Sequence, residues 1–153
     1  LKYPEYAKEV VSIIIEKYNL KDLDRDLVVG PAMGGIIIGY EMARQLGLPF
    51  IFTERENNIM TIRRGFDLPK GSRVLIVEDV VTTGKSSLEA EAVINKVGGK
   101  VIGLAALVNR GEAIDYPNPI YSGLSLNIKT YKEKDCSLCK SGEKLIKPGS
   151  RKF

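Results

Sequence analysis

Residues 73–87, RVLIVEDVVTTGKSS, constrain the fold more than any other stretch of this chain. Val74, Leu75, Ile76 and Val77 form an apolar, β-branched-rich run, the pattern of a strand buried on both faces. Glu78 and Asp79 follow it, and then a short loop of hydroxyls and glycine, Thr82-Thr83-Gly84-Lys85-Ser86. Beyond the loop, Ala90, Val93, Ile94 and Val97 recur at the spacing of one helix face. The order is buried strand, acids, loop, helix. In an open parallel sheet the carboxyl ends of strands are where ligands bind.

The loop chemistry indicates an anion. Gly84 permits a tight turn and removes a Cβ from a ligand's path. The first amides of the following helix have no intrahelical acceptor, and the helix dipole favours negative charge there. Thr82, Thr83, Ser86 and Ser87 add hydroxyl donors. Two carboxylates facing a phosphate would repel it, so Glu78 and Asp79 are better suited to accept from sugar hydroxyls beside it. The minimal ligand is a phosphorylated sugar. An ordinary capped strand-to-helix turn would explain the loop but leaves the acid pair without a task. Gly84-Lys85-Ser86 is like the end of a Walker A loop, but that motif needs glycine five positions earlier, where Asp79 stands. No GxGxxG follows any strand, so a dinucleotide fingerprint is absent too.

Other segments repeat the scheme. Leu1 to Tyr18 has helical spacing at Tyr6, Val10, Ile13 and Ile14, with Pro4 suited to a first turn. Asn19 to Asp26 reads as a polar connection. Leu27-Val28-Val29-Gly30 is a short strand that runs into Pro31-Ala32-Met33-Gly34-Gly35, and a helix follows to about Gly47. This small-residue turn is either a second anion cradle or a packing turn. Pro49 to Thr53 is a strand, and Asn57-Asn58 between two β-like runs predicts a hairpin over about 54–66 that carries Arg55, Arg63 and Arg64. Such arginines suit a diphosphate. Gly98-Gly99 ends the next helix and Val101 to Val108 is an apolar central strand. Arg110 stands at its carboxyl end, with Asn109, Gly111 and Glu112 around it. Leu124, Leu126 and Ile128 alternate with polar residues and predict a half-buried edge strand. The tail, about 132–153, is polar and is expected to wrap the surface. The prediction is one α/β domain over residues 1–153, with a Rossmann-like, mostly parallel sheet flanked by helices.

Composition narrows the chemistry. The chain has no histidine, which excludes Ser-His-Asp triads, His acid–base catalysis and His metal ligands. Its net charge of +4 suits a polyanionic small molecule and does not point to nucleic acid. No uncharged stretch approaches the roughly 20 residues that span a bilayer, and no signal-peptide pattern is present. A cytoplasmic protein without membrane contact is expected. Cys136 and Cys139 are the only cysteines. Two thiols cannot close a tetrahedral zinc site alone, so the pair is structural or incidental, or shares a zinc ion across a dimer.

The run VEDVVTTGKS resembles the phosphoribosyl pyrophosphate signature of type I phosphoribosyltransferases. VVGPAMGG, the ERENN…RRGF hairpin, VNRGE and the tail CSLCKSGEKLIKPGSR widen the likeness to nearly the whole chain, in the orotate branch of that family. The resemblance implies that Glu78 and Asp79 hold the ribose hydroxyls, and that the donor-binding run continues through Val80, Val81, Thr82, Thr83, Gly84, Lys85 and Ser86, the loop taking the 5′-phosphate. It implies that Ala32, Met33 and Gly34 touch pyrophosphate, since a donor with two phosphate groups needs two cradles. Arg110 would pair with the orotate carboxylate, and Thr82 would lie near the pyrimidine. Arg55, Arg63, Arg64 and Asp79 would be the catalytic groups, with the hairpin mobile and acting across a homodimer interface. Mg²⁺ would be held mainly through the substrate. Two departures stand out. Many relatives carry a lysine and a histidine in the mobile loop, and this chain has no histidine. The family's N-terminal hood over the base precedes the helix that begins here, and the chain shown starts at Leu1, so a truncated or partly shown start is expected. The rival expectations are a purine phosphoribosyltransferase and a non-catalytic regulator on the same fold. Arg110 favours an acidic acceptor, because neutral purines offer no carboxylate.

Overall fold

A computed structural model describes residues 1–111, 114–129 and 131–143. Glu112 and the tail residues 144–153, which carry part of the VNRGE and KPGSR motifs, lie outside the described residues. The chain runs α1 (Pro4–Lys17), β1 (Leu27–Pro31), α2 (Gly34–Leu46), β2 (Phe50–Glu56), β3 (Ile59–Ile62), β4 (Arg73–Val81), α3 (Lys85–Lys96), β5 (Lys100–Asn109), β6 (Ile120–Ser125) and α4 (Ser137–Lys140). The sheet order is β3-β2-β1-β4-β5-β6. Among the described residues only the β2–β3 pair is antiparallel, so the expected α/β architecture with a mostly parallel sheet is what the chain adopts.

The alternation of side chains along β4 builds both halves of the core. Leu75 and Val77 pack with Val11, Ile14 and Ile15 of α1 and with Ile38 and Met42 of α2. Val74 and Ile76 pack on the other face with Ala90 and Ile94 of α3 and with Val29 and Leu104 of the neighbouring strands. All four are buried, each worth about 1.5–3 kcal/mol relative to exposure. A strand buried on both faces reads as a continuous apolar run, which is how β4 looks in the sequence.

After β1 the chain moves outward to β2 and β3, then returns to the opposite side of β1 as β4. The strand order therefore reverses between β1 and β4, where open α/β sheets leave a crevice at their carboxyl ends. The turns after β1 and β4 both open there.

Several expectations need correction. In α1 the buried face is Ala7, Val11, Ile14 and Ile15, whereas Tyr6 and Ile13 are exposed. The connection after α1 is not merely polar: it holds a 3₁₀ turn, Leu20–Asp22, whose Leu20 is fully buried. β4 continues beyond the apolar run through Glu78 and Asp79 to Val81, so the strand is longer than that run indicates and contains both acids. The edge strand is Ile120–Ser125 and runs parallel to β5, while Leu124, Leu126 and Ile128 are all exposed. The cause is tertiary: α1 reaches across to this strand, where Tyr18 Oη and Lys17 Nζ both donate to the Ser122 carbonyl at 3.0 and 3.1 Å.

Candidate active site

α3 begins at Gly84, which has φ of +72° and caps the helix without any side-chain hydrogen bond. Glycine suits this left-handed position because it has no Cβ to strain. The Lys85 amide donates to Thr83 Oγ1 only over a long 3.4 Å, so the first helical turn remains open to an anion. Thr82, Thr83, Gly84, Lys85 and Ser86 line a cavity of about 580 Å³, joined by Val80, Val81, Glu78, Arg55, Ser87, Asn58 and Glu89. The loop residues expected to form a cup are thus brought together. Ser87 adds the hydroxyl that its place beside the loop indicates, while Asn58 and Glu89 join the lining without a place in the expected site. Glu89 lies one helical turn beyond Lys85, and that spacing was the available signal.

The acid pair does not face one ligand as two equal anions. Successive strand residues point to opposite faces. Glu78 follows Val74 and Ile76 onto the α3 side, where it lines the cavity and is buried. Burial pushes its carboxyl up to about 8; the neighbouring Asp79 charge adds to this and Arg55 opposes it. At neutral pH Glu78 is therefore mostly protonated and can donate as well as accept. Asp79 follows Leu75 and Val77 onto the α2 side, lies outside the cavity lining, and accepts from its neighbour's Val80 amide at 2.7 Å.

The second turn comes very close to Asp79. A Cβ added to Gly34 would stand 2.6 Å from the Asp79 Cγ. One at Gly35 would stand 2.5 Å from the Val77 carbonyl oxygen. The small residues of Pro31–Gly35 therefore serve packing and approach together: they let the start of α2 sit directly on β4. α2 also lacks a side-chain cap. The Ala32–Met33 peptide is cis, and the Ala32 amide donates to the Thr53 carbonyl at 2.7 Å. The Ala32 amide is thus engaged within the sheet rather than turned to an anion, while Met33 is 80% exposed at the rim.

The hairpin forms as expected, with Asn57 and Asn58 both at positive φ and β2 paired to β3. Its arginines do not stay together. Arg55 enters the cavity, where Nη2 donates to Glu89 and lies 3.5 Å from Ser86 Oγ. Arg63 pairs with Glu56 at 3.0 Å, and Arg64 pairs with Glu54 through two bonds at 2.9 and 3.1 Å. Glu54 and Glu56 lie on the opposite face of β2 from Arg55, so Arg63 and Arg64 are not brought to this chain's own cavity.

Arg110 follows β5, exposed, its backbone amide donating to the Val81 carbonyl at 2.8 Å. That bond ties it to the end of β4, but its side chain is outside the cavity lining. Cys136 stands at the N-cap of the short α4 and Cys139 lies within it, both as free thiols. Among the described residues no group of three or more His, Cys, Asp or Glu side chains is placed to hold a metal ion.

The Phosphoribosyl transferase domain family matches residues 1–136 of the chain. An orotate phosphoribosyltransferase of Caldanaerobacter subterraneus subsp. tengcongensis is 49% identical over 153 residues, covering 99% of this chain and 80% of that protein. The crystal structure of orotate phosphoribosyltransferase from Aeropyrum pernix superposes with a TM-score of 0.62 at 27% identity, over 76% of this chain and 70% of that one. Adenine phosphoribosyltransferase from Rhodothermus marinus superposes with a TM-score of 0.67 at 22% identity, covering 82% of each chain, a likeness of fold alone.

Proposed function

The chain belongs to the phosphoribosyltransferase domain family, and on that premise we propose that it is an orotate phosphoribosyltransferase. It transfers ribose 5-phosphate from phosphoribosyl pyrophosphate to N1 of orotate, and orotidine 5′-monophosphate and pyrophosphate leave. The observation that carries the donor half is the placement of two uncapped helix starts, α2 and α3, on either side of Glu78 and Asp79 at the reversal of strand order. The acceptor is selected by the relative at 49% identity over nearly the full chain.

In this reading the Thr82–Ser86 loop and the first turn of α3 take the 5′-phosphate. Glu78 and Asp79 reach the ribose hydroxyls from opposite faces of β4. The Ala32–Gly34 turn meets the pyrophosphate, whose leaving charge Arg55 offsets. Arg110 pairs with the orotate carboxylate, and Thr82 lies between phosphate and pyrimidine. Asp79 fits as one carboxylate ligand of a Mg²⁺ ion otherwise held by the donor's own oxygens. When bound, that ion neutralises charge on the pyrophosphate.

The transition state is oxocarbenium-like, so catalysis lies in positioning and in fixed charges rather than in a covalent intermediate. Orotate N1 is acidic enough to need no strong base, in keeping with a chain that lacks histidine. Closure of the hairpin excludes water and protects the donor from hydrolysis.

The proposal extends to a single domain over the whole chain, a cytoplasmic location, and a homodimer whose hairpin keeps Arg55 in its own cavity and acts across the interface through Arg63 and Arg64. No described helix is long and apolar enough to cross a membrane. Release of pyrophosphate from phosphoribosyl pyrophosphate is the test, assayed with orotate, adenine, guanine and xanthine in turn. Turnover with orotate alone is expected; turnover with a purine and none with orotate would overturn the assignment.

A further inference from the structure

The cavity contains a carboxylate to which the reaction gives no task. Glu89, on α3, has a side chain 30% exposed, and its Oε2 accepts from Arg55 Nη2. Its Oε1 stands 4.0 Å from Lys85 Nζ. Arg55 and Lys85 are the two positively charged side chains that line the cavity, and both are turned to this single acid. The same Arg55 nitrogen lies 3.5 Å from Ser86 Oγ, within the loop assigned to phosphate.

A carboxylate and a phosphate make the same kind of forked, charge-assisted bond to a guanidinium, and one guanidinium edge cannot serve both fully. An unpaired arginine in a half-closed cavity would carry a desolvation cost, which an internal anion removes. That anion must then release the guanidinium when a polyanion binds, because one edge cannot hold both.

We propose that Glu89 is an internal stand-in for phosphate: it holds Arg55 while the donor site is empty and yields it to the donor's phosphate on binding. The proposal rests on the phosphoribosyl pyrophosphate reading of the cavity and adds a regulation to it. The Arg55–Glu89 pair ties the β2–β3 hairpin to α3, so arrival of the donor exchanges a hairpin–helix contact for a hairpin–ligand contact. Glu89 also sets a threshold, since a ligand with weak negative charge does not displace it.

The test is calorimetric titration of magnesium phosphoribosyl pyrophosphate into the wild type, Glu89→Gln, Arg55→Ala and the double variant. Glu89→Gln is expected to tighten binding about fivefold, the scale of a partly exposed ion pair. In the Arg55→Ala background the same substitution is expected to have no effect on affinity. Unchanged or weaker binding by Glu89→Gln would overturn the exchange. So would a gain that persists without Arg55, which would reduce Glu89 to simple repulsion. A wild type that does not bind the donor at all would remove the donor assignment itself, and that result is read from the reference titration alone.

Discussion

Gly34 and the Asp79 carboxylate occupy adjoining space: a Cβ on Gly34 would stand 2.7 Å from Asp79 Oδ2. The turn after β1 and the end of β4 thus meet through one acid and one residue without a side chain. This contact brings the turn after β1 against the strand whose other face, at Glu78, lines the cavity beside the Thr82–Ser86 loop.

Gly34→Ala is expected to push the Asp79 carboxylate or the turn aside. Overpacking of this kind costs about 1–3 kcal/mol. The thermal midpoint should fall by several degrees, and kcat/KM should fall far more than that loss of stability explains. Full activity in a folded Gly34→Ala protein would mean that the contact does not position the acid.

Asp79→Asn should leave the fold intact, since an amide oxygen can still accept from the Val80 amide as the carboxylate does at 2.7 Å. If Asp79 holds the place proposed for it at the donor, loss of its charge is expected to lower kcat/KM by about 100-fold or more, the scale of one strong electrostatic contact to the transition state. Near-normal turnover would sink the role given to Asp79.

Glu78 gives a pH dependence whose sign can be worked out. Burial raises its folded pKa from 4.5 to about 8. Between these values the native state holds a proton that the unfolded chain has lost, so stability falls as pH rises. The contribution is fully present below about 4.5 and lost once pH passes about 8. Thermal midpoints of the ligand-free protein should decline from pH 5 to 8 and then level. Glu78→Gln should flatten that decline, and no histidine titrates in the same window to mask it. A decline that survives the substitution would place its origin elsewhere.

Hybrid dimers test whether the hairpin acts across the interface. Arg63 and Arg64 face away from their own cavity, paired with Glu56 and Glu54. Asp79→Asn should inactivate its own site but keep a working hairpin; Arg63→Ala with Arg64→Ala should do the reverse. Mixing the two inactive proteins after gentle dissociation should restore activity, because one hybrid site then has both parts. If no activity returns although hybrids form, the hairpin serves its own subunit.

Arg110→Ala should raise the KM for orotate about tenfold or more, the scale of a lost charge-assisted bond, and change that for the donor little. Equal effects on both substrates would place Arg110 on the donor side. The backbone bond from Arg110 to Val81 does not depend on the side chain, so the fold should be unaffected.

Much of the site was legible because its parts are local. The Thr82–Ser86 loop, the Pro31–Gly35 turn and the Asn57-Asn58 hairpin are each set by short-range backbone chemistry, and each appears where the residues indicated. The grouping of Arg55, Arg63 and Arg64 was misleading. They are close in sequence, but Arg55 enters the cavity from β2 while Arg63 and Arg64, beyond the end of β3, are held by Glu56 and Glu54. The edge strand was misplaced for a related reason. Alternation in Leu124, Leu126 and Ile128 implied a buried face, but the strand that pairs with β5 is Ile120–Ser125, and it is buried at Ser122, where the end of α1 meets it.

The sequence by itself determined the α/β class, the order of strands, loops and helices, and the kind of ligand. Apolar runs, glycine positions and hydroxyl-rich turns act over a few residues and need no distant partner. Long-range packing alone set the different surroundings of Glu78 and Asp79. Adjacent in the chain, they are divided by the pleat of β4: burial against α3 keeps one protonated near neutral pH, and the other is set against Gly34 at the start of α2. It also decided that Glu89 meets Arg55, since their pairing depends on how the hairpin and α3 pack. Such placements come from long-range packing, which no local pattern encodes.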